Sequence, residues 1–296
     1  MKILLTGANG FLGKIVTTKL VNEGHNVIAL VIPEEDTTYL CTLKNVNILR
    51  GDITDSNSIK NVMKKIDIVI HLAALLNNSD ENLNMKINYE GTKNIADLAE
   101  KNNVKRVIFT SSMTATSNNL NAYGKSKKLA EEYLNTKKFN TIIIRPTLLY
   151  GKGGAAFNKL RDMINMLPIF VPVIGNGTSI KQPIYVEDAA EIIKKAATME
   201  INTNKVYQIG GPEQIEFKEY VNKILKIQGK KKKLLHIPRF FIWTILGIVE
   251  KITKNLPVTR EAVLELETDT KIDSTIIEKD FEIKLISLDE GIKKSL

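Results

Sequence analysis

The sequence predicts a doubly wound α/β fold: a parallel sheet covered by helices on both faces, with a smaller C-terminal lobe. Three observations carry this expectation. Short runs of Val, Ile and Leu without polar alternation recur through the first two thirds of the chain, as in strands buried on both faces. Segments of helical period separate them. A glycine-rich turn follows the first run directly and opens the first helical segment.

In chain order, KILLTG (2–7) reads as the first strand, followed by a helix near 11–23. NVIALVI (26–32) and NVNILRGD (45–52) follow, then a helix near 56–65, the strand DIVIHLAA (67–74) and a helix near 82–102. RVIFTSS (106–112), a helix near 122–137 and TIIIRPT (141–147) continue the alternation. Helices near 155–166 and 187–199 precede a last strand, KVYQIGG (205–211). After Tyr150 glycines and prolines thicken (Gly151, Gly153, Gly154, Pro168, Pro172) and a lysine-rich helical region follows residue 212. The expected division is therefore a dinucleotide-binding domain of 1–150 plus about 184–211, and a substrate lobe of about 151–183 plus 212–296.

Composition narrows the function classes. At 296 residues, with 43% hydrophobic and 25% charged residues, the chain has ample material for a core. One cysteine, Cys41, excludes an internal disulfide framework and suits a reducing cytoplasm. The net charge of +9 is spread through the chain; only GKKKKLLH (229–236) is a cluster, so nucleic acid is not expected as a partner. No His, Cys or carboxylate cluster has metal-ligand spacing, and no metal is expected. MKILLTGANGFLG lacks the cleavage region of a signal peptide. FFIWTILGIV (240–249) is short of the roughly 20 residues a spanning helix needs. It reads as a helix packed into the lobe; with Arg239, Lys251 and Lys254 flanking it, the alternative is a peripheral contact with a membrane surface.

The glycine turn TGANGFLG (6–13) spaces Gly7, Gly10 and Gly13 as G-x-x-G-x-x-G. Gly7 permits a tight turn, Gly10 a close approach to a pyrophosphate, and Gly13 close packing of helix on strand. The helix amino terminus then offers free N–H groups to phosphate. In GDITD (51–55), Asp52 is placed to accept from an adenine amino group and Ile53 to pack on the ring; Asp52 reads equally well as a helix N-cap. After the second strand come Ile32-Pro33 and then Glu34, Glu35 and Asp36, with no arginine. Those acids favour a free ribose 2′-hydroxyl and hence NAD; Lys14 would serve a 2′-phosphate, which keeps NADP open.

Together TGANGFLG, GDITD, HLAA (71–74), NYEGT (88–92), FTSS (109–112), YGKSK (123–127) and RPTLLYG (145–151) resemble the extended short-chain dehydrogenase/reductase family of epimerases, dehydratases and reductases. The resemblance covers about residues 1–211, and QPIYVEDAAEII (182–193) is similar to the family's segment returning to the nucleotide domain; the last 85 residues are only loosely similar. It implies a Rossmann fold and cofactor contacts from Gly7, Asn9, Gly10, Phe11, Leu12 and Gly13, from Asp52 and Ile53, and from the backbone of Leu72, Ala73 and Ala74. It adds Asn88, Tyr123, Lys127 and Pro146, the last beside the nicotinamide carboxamide. It also implies that homodimerisation through a helix pair is common.

Tyrosine stands four residues before lysine at three places, Tyr89-Lys93, Tyr123-Lys127 and Tyr133-Lys137, so spacing alone does not select one. Only Tyr123 begins the helix after a serine-bearing strand end, at the edge where doubly wound sheets bind ligands. Tyr133 lies ten residues further on, about 15 Å deeper along the helix. A lysine ammonium one turn away favours the phenolate of a side chain whose pKa is otherwise about 10. Tyr123 then serves as acid and base in hydride transfer. The resemblance gives Lys127 the nicotinamide ribose and Ser112 the substrate oxygen, with Ser111 as runner-up; His71 reads as a packed imidazole near the cofactor.

Departures from the family pattern bear on the substrate. The stretch from Ser112 to Tyr123 is shorter than in typical sugar-nucleotide epimerases, and Lys181-Gln182 stand where many carry an arginine facing the nucleotide diphosphate. MTA (113–115) lacks the acidic pair of dehydratases, which argues against dehydration. The short loop also resembles a structural accessory subunit of respiratory complex I. Three readings follow: an epimerase acting on a sugar nucleotide with retained NAD, a reductase or dehydrogenase of a non-nucleotide ketone or alcohol, and a nucleotide-binding scaffold or membrane-associated assembly subunit.

Overall fold

A computed structural model describes residues 1–76, 78, 80–118, 120–200, 203–244 and 260–296. Residues 245–249 of the apolar stretch 240–249 lie outside the described residues. By contacts the chain divides into two compact units: Met1–Pro146 with Val186–Ile209 and Thr275–Ile283, and Thr147–Tyr185 with Gly210–Ser274 and Lys284–Leu296.

The first unit is built on a seven-stranded parallel sheet. Its strands are β1 (Lys2–Thr6), β2 (Asn26–Val31), β3 (Val46–Arg50), β4 (Ile68–His71), β5 (Arg106–Thr110) and β6 (Asn140–Pro146), with Lys205–Ile209 at the far edge. In space they run β3-β2-β1-β4-β5-β6 and then Lys205–Ile209. Every residue of β4 is buried, and four of the five in β1, because helices cover both faces of the sheet. The helices between them are α1 (Phe11–Asn22), α2 (Thr38–Cys41), α3 (Ser56–Ile59), α4 (Glu81–Asn84), α5 (Gly91–Lys101) and α6 (Ala122–Leu134). The strand order reverses between β1 and β4, and the crevice there is where such sheets take their ligands.

Each expected strand is present, and all seven end one to three residues earlier than the apolar runs suggest. The residues left over, among them Leu72–Ala74 and Ser111–Ser112, turn out of the sheet to form the loops at its carboxyl edge. Two helices differ more. The helix expected over 56–65 stops at Ile59, and the turns that follow leave Lys65 at φ 58° while Val62 and Met63 enter the core. The helix expected over 82–102 is interrupted by a π-helical segment, Met85–Glu90, whose wider turn carries Asn88 inward.

Thr275–Ile283 departs from the expected division, which put all of 212–296 in the smaller lobe. Phe281 is fully buried, its ring centroid 4.7 Å from that of Tyr207 on the edge strand, and the Tyr207 hydroxyl donates to Asp280 at 3.1 Å. The aromatic pair gives that short segment enough buried area to leave its sequence neighbours.

The second unit packs the helix Ala155–Met166 and the helix Phe217–Ile227 around a core containing Tyr150, Phe157, Val171, Tyr220 and Ile224. A two-stranded parallel ribbon, Phe170–Ile174 with Lys233–Ile237, turns Val171 and Val173 into that core.

Candidate active site

The loop between β1 and α1 shows what its glycines are for. Gly7 sits at φ +68°, and a Cβ there would lie 2.8 Å from the amide nitrogen of Ala73, on the loop after β4. At Gly13 a Cβ would stand 2.0 Å from the Gly7 carbonyl oxygen, so any side chain would force α1 off the turn. Gly10 is the N-cap of α1 and supplies no side-chain cap. The first N–H groups of the helix, those of Phe11, Leu12 and Gly13, are therefore left for an anion. This cradle fits a dinucleotide pyrophosphate.

Asn9 leaves the loop in the other direction. Its amide donates to Glu35 Oε2 at 3.1 Å and to the Asp36 carbonyl at 2.5 Å, while its buried Oδ1 has no hydrogen-bond partner. Arg50, which the sequence reading passed over, holds the same loop from β3: its guanidinium donates to the carbonyls of Ile32, Pro33 and Glu35 and to the Thr37 hydroxyl. The available signal was register, since Val31 pairs with Arg50 at the carboxyl ends of neighbouring strands. An arginine thus does stand beside the loop after β2, turned onto backbone carbonyls. Lys14 lies with its ammonium 5.7 Å from the centre of the Tyr39 ring.

Asp52 is not the helix N-cap. That place belongs to Asp55, which accepts from Asn57 N, while Asp52 Oδ1 accepts from Thr54 N at 2.8 Å. Ile53 is buried in the core, where Gly91 leaves room for it: a Cβ on Gly91 would lie 2.7 Å from its Cδ1.

His71, fully buried at the end of β4, lies 2.6 Å from Thr6 Oγ1 and 2.9 Å from Thr92 Oγ1 and stacks on Phe109. Thr6 Oγ1 in turn accepts from Ala73 N. The imidazole therefore fixes the loop that approaches Gly7, as the packed reading expects. Burial, aided by the Lys127 charge, pushes its pKa from 6.5 down to about 3. The unfolded chain protonates this histidine near pH 6.5 and the folded one only near 3, so its contribution to stability is lost as pH falls across that window. The His71→Gln protein is accordingly expected to lose less stability than the parent between pH 6.5 and 4, measured by urea unfolding at each pH. An equal loss in both would rule out this account.

Asn88 clamps the same loop. It accepts from Leu75 N at 2.7 Å, and its amide group lies within 3.1 Å of Leu75 O, Asn84 Oδ1 and Ser126 Oγ. Its amide is spent on the protein, so it positions Leu72–Ala74 through Leu75.

The strand-end serines differ in role. Ser112 caps a short 3-10 turn, Met113–Thr116, accepting from Thr114 N at 3.1 Å and from Thr114 Oγ1 at 2.8 Å. Both bonds use its lone pairs and leave its own O–H to donate. Thr110 Oγ1 and Ser111 Oγ are buried there without partners, as polar atoms at ligand sites often are. The turn meets α6 where Gly124 leaves no room for a side chain, a Cβ there lying 2.7 Å from the Thr114 carbonyl oxygen. This contact brings Ser112 and Tyr123 to one edge of the sheet.

Tyr123 stands in the first turn of α6, whose N-cap Asn121 accepts from Gly124 N at 2.7 Å. One turn on, Lys127 is 1% exposed, its ammonium 4.2 Å from the centre of the Phe109 ring on β5. Burial drives its pKa from 10.5 to about 7, against the smaller pull of the Glu131 carboxylate. Of the three tyrosine–lysine pairs only this one buries its lysine. Lys137 is tied instead to Asp97 and Glu100 by ion pairs, and Lys93 lies over the ring of Tyr133.

The sequence profile of the NAD dependent epimerase/dehydratase family matches residues 3–210. The chain belongs to that family. The resemblance to extended short-chain dehydrogenases/reductases is thereby confirmed, and with it the enzyme class. The chain is 27% identical over 99% of its length, and 94% of the relative's, to an N-acetyl-alpha-D-glucosaminyl-diphospho-ditrans,octacis-undecaprenol 4-epimerase of Escherichia coli O157:H7. It is 24% identical to a decarboxylating sterol-4-alpha-carboxylate 3-dehydrogenase of Dictyostelium discoideum, over 86% of this chain and 87% of that one. In fold it is similar to a Thermotoga maritima UDP-glucose 4-epimerase solved with UDP-glucose, with a TM-score of 0.81, 21% identity, and coverage of 100% of this chain and 97% of that one.

In this epimerase/dehydratase-family chain the second unit carries a cavity of about 610 Å³ lined by Gln182, Gln214, Lys271, Ile272, Asp273 and Ser274 among others. Gln182 shapes its wall, donating to the Gly211 carbonyl and accepting from Ile272 N, both at 2.7 Å. Lys181 is buried, its ammonium donating to the Thr268 carbonyl at 2.5 Å. Among the described residues, no helix is long and apolar enough to cross a membrane and no group of three His, Cys, Asp or Glu could hold a metal ion.

Proposed function

We propose that the protein is an NAD-dependent epimerase that inverts a hydroxyl-bearing carbon of a sugar attached to a diphosphate. The observation that carries this reading is the buried Lys127 one helical turn from Tyr123, beside a Ser112 hydroxyl free to donate. Bound NAD would supply a reversible hydride acceptor. Its pyrophosphate would lie on the N–H groups of Phe11, Leu12 and Gly13 between Gly7 and Gly10, with Asp52 and Ile53 toward the adenine and Pro146 toward the nicotinamide. Tyr123 takes the proton of the sugar hydroxyl as a ketone forms and returns it when the sugar is reduced from its other face. Lys127, when protonated, favours the phenolate that this step needs. Ser112 donates to the oxygen that becomes the carbonyl, where charge changes most.

The match to 4-epimerases over nearly the whole chain supports epimerisation over simple reduction. It also supplies two carriers for the sugar diphosphate, a nucleotide or a polyprenol. The cavity around Lys271 in the second unit, which we read as the substrate lobe, suits part of such a substrate. The lone cysteine agrees with a cytoplasmic enzyme, and a homodimer belongs to the same reading. The reductase reading draws support from the sterol dehydrogenase relative.

The deciding experiment purifies the protein without added cofactor, denatures it and identifies released nucleotide by mass spectrometry, then incubates native protein with UDP-N-acetylglucosamine and UDP-glucose and follows the 4-epimers by NMR. Retained NAD with epimer formation is the expected result. Net turnover only with added NADH or NADPH would replace epimerisation with reduction.

A further inference from the structure

The two-stranded ribbon of the second unit has an unusual outer face. Alternation along a strand puts Phe170 and Pro172 on the side opposite the core residues Val171 and Val173. Their register partners are Lys233 and Leu235. Phe170 and Leu235 are 40% and 45% exposed, and the preceding turn adds Met166 and Ile169 at 66% and 59%. Immediately after the ribbon, residues 239–244 are helical, with Phe240 and Phe241 at 74% and 58%. Isolated exposed apolar side chains need no explanation, but a set this large along one ribbon does.

The charges around it indicate what it meets. Lys230–Lys233 are four consecutive lysines, and no acidic residue occurs from 229 to 243. They sit against the apolar turn itself: Lys232 Nζ donates to the carbonyls of Ile164 and Leu167, both at 2.7 Å, and Lys233 N to the Ile169 carbonyl at 2.9 Å. Lys230 is held by Asn165. Lys231 and Lys233 are exposed. Arg239 pairs with Glu267 at 3.3 Å and stacks over Trp243, whose indole is of the kind that settles at lipid headgroups. Aromatic and aliphatic side chains bordered by unpaired lysines are the chemistry of an anionic bilayer surface, where apolar tips enter the headgroup boundary and ammonium groups meet lipid phosphates. A protein partner of the same shape would have to bring its own acids to so basic a rim.

We infer that the outer face of the ribbon Phe170–Ile174/Lys233–Ile237, with Phe240 and Phe241, docks this protein on an anionic membrane. The inference rests on the proposed epimerase function and deepens it: of the two carriers, it makes the lipid the native one and the soluble nucleotide a stand-in substrate, because a polyprenyl diphosphate holds its sugar at the surface this face binds. The helical residues 239–244 after Ile237 lie on the membrane surface in this reading.

The test is co-sedimentation of the full chain with vesicles of phosphatidylcholine alone and of phosphatidylcholine mixed with phosphatidylglycerol. Binding to the mixed vesicles only is expected. Lys231→Gln/Lys233→Gln should weaken it on the order of 30-fold, since a lysine near such a surface is worth about fivefold. Phe240→Ser/Phe241→Ser should weaken it by about tenfold or more. No binding to mixed vesicles, or binding that ignores lipid charge and both double variants, overturns the inference. So does ultracentrifugation in which the Phe variant turns a dimer into monomers, which gives the face to a second copy. If either variant misfolds, the comparison of the two vesicle types with the parent protein still decides. NAD retention and turnover of a soluble sugar nucleotide are read on the same samples. Lost vesicle binding with both intact sinks the membrane inference alone; absent NAD sinks the epimerase reading and leaves the vesicle result standing.

Discussion

Tyr123→Phe is expected to lower turnover by about 10³-fold, within the range that a positioned acid or base contributes, while retained NAD survives. The phenol is the proton carrier in both halves of the proposed reaction, and phenylalanine keeps the ring while deleting the only atom that moves a proton. The cradle has its own supports: Gly7, Gly13 and the first turn of α1 are held by close backbone contacts within the turn and with the loop after β4. Activity is read as epimer formation under single-turnover conditions, and cofactor content as nucleotide released on denaturation. Turnover within about tenfold of the parent would remove Tyr123 from the chemistry, since that loss lies below what a general acid–base group contributes. Loss of NAD together with activity would instead make the tyrosine a binding residue.

Lys127→Met should abolish activity to a similar degree and yet stabilise the cofactor-free protein. Burial depresses the Lys127 pKa from 10.5 to about 7, so between those values the unfolded chain binds more protons than the folded one. Stability then rises with pH across that window, and below pH 7 the folded protein carries the full cost of a buried ammonium. At 1.36 kcal/mol per pH unit this cost is about 3–5 kcal/mol. Methionine fills similar space with no charge, so the gain should be largest at pH 6, smaller at pH 9 and absent near pH 11. Urea unfolding of NAD-free protein at these three pH values measures it. A Lys127→Met protein less stable than the parent at pH 6 would show that the ammonium is well solvated or paired in the fold. The expected trade of stability for activity is usual where a fold holds a charge for chemistry.

Sequence reasoning reached the sheet because a strand covered on both faces has to be apolar throughout, and NVIALVI or TIIIRPT tolerates little else. It reached the cofactor cradle because an L-residue at Gly7 or Gly13 would collide with backbone already fixed by the turn. It singled out Tyr123 by chain order, and the burial of Lys127 over Phe109 is a physical reason that order alone does not contain. The helix expected over 56–65 ends at Ile59 because Val62 and Met63 satisfy a buried turn as well as they satisfy a helical period. The link from His71 through Thr6 to Ala73 was invisible because its members are 65 and 67 residues apart.

The sequence by itself determined the fold class, the phosphate-binding turn and the family, since these depend on local spacing and on patterns repeated in each strand. Tertiary structure alone decided that His71 and Asn88 serve the loop after β4, that Arg50 anchors the loop after β2, and that Thr275–Ile283 leaves the smaller unit to pack Phe281 on Tyr207. It also decided that the apolar turn Met166–Phe170 shares a surface with four lysines more than sixty residues later. Each of these depends on which distant segments become neighbours, and that is set by burial and register over the whole chain, which no short stretch encodes.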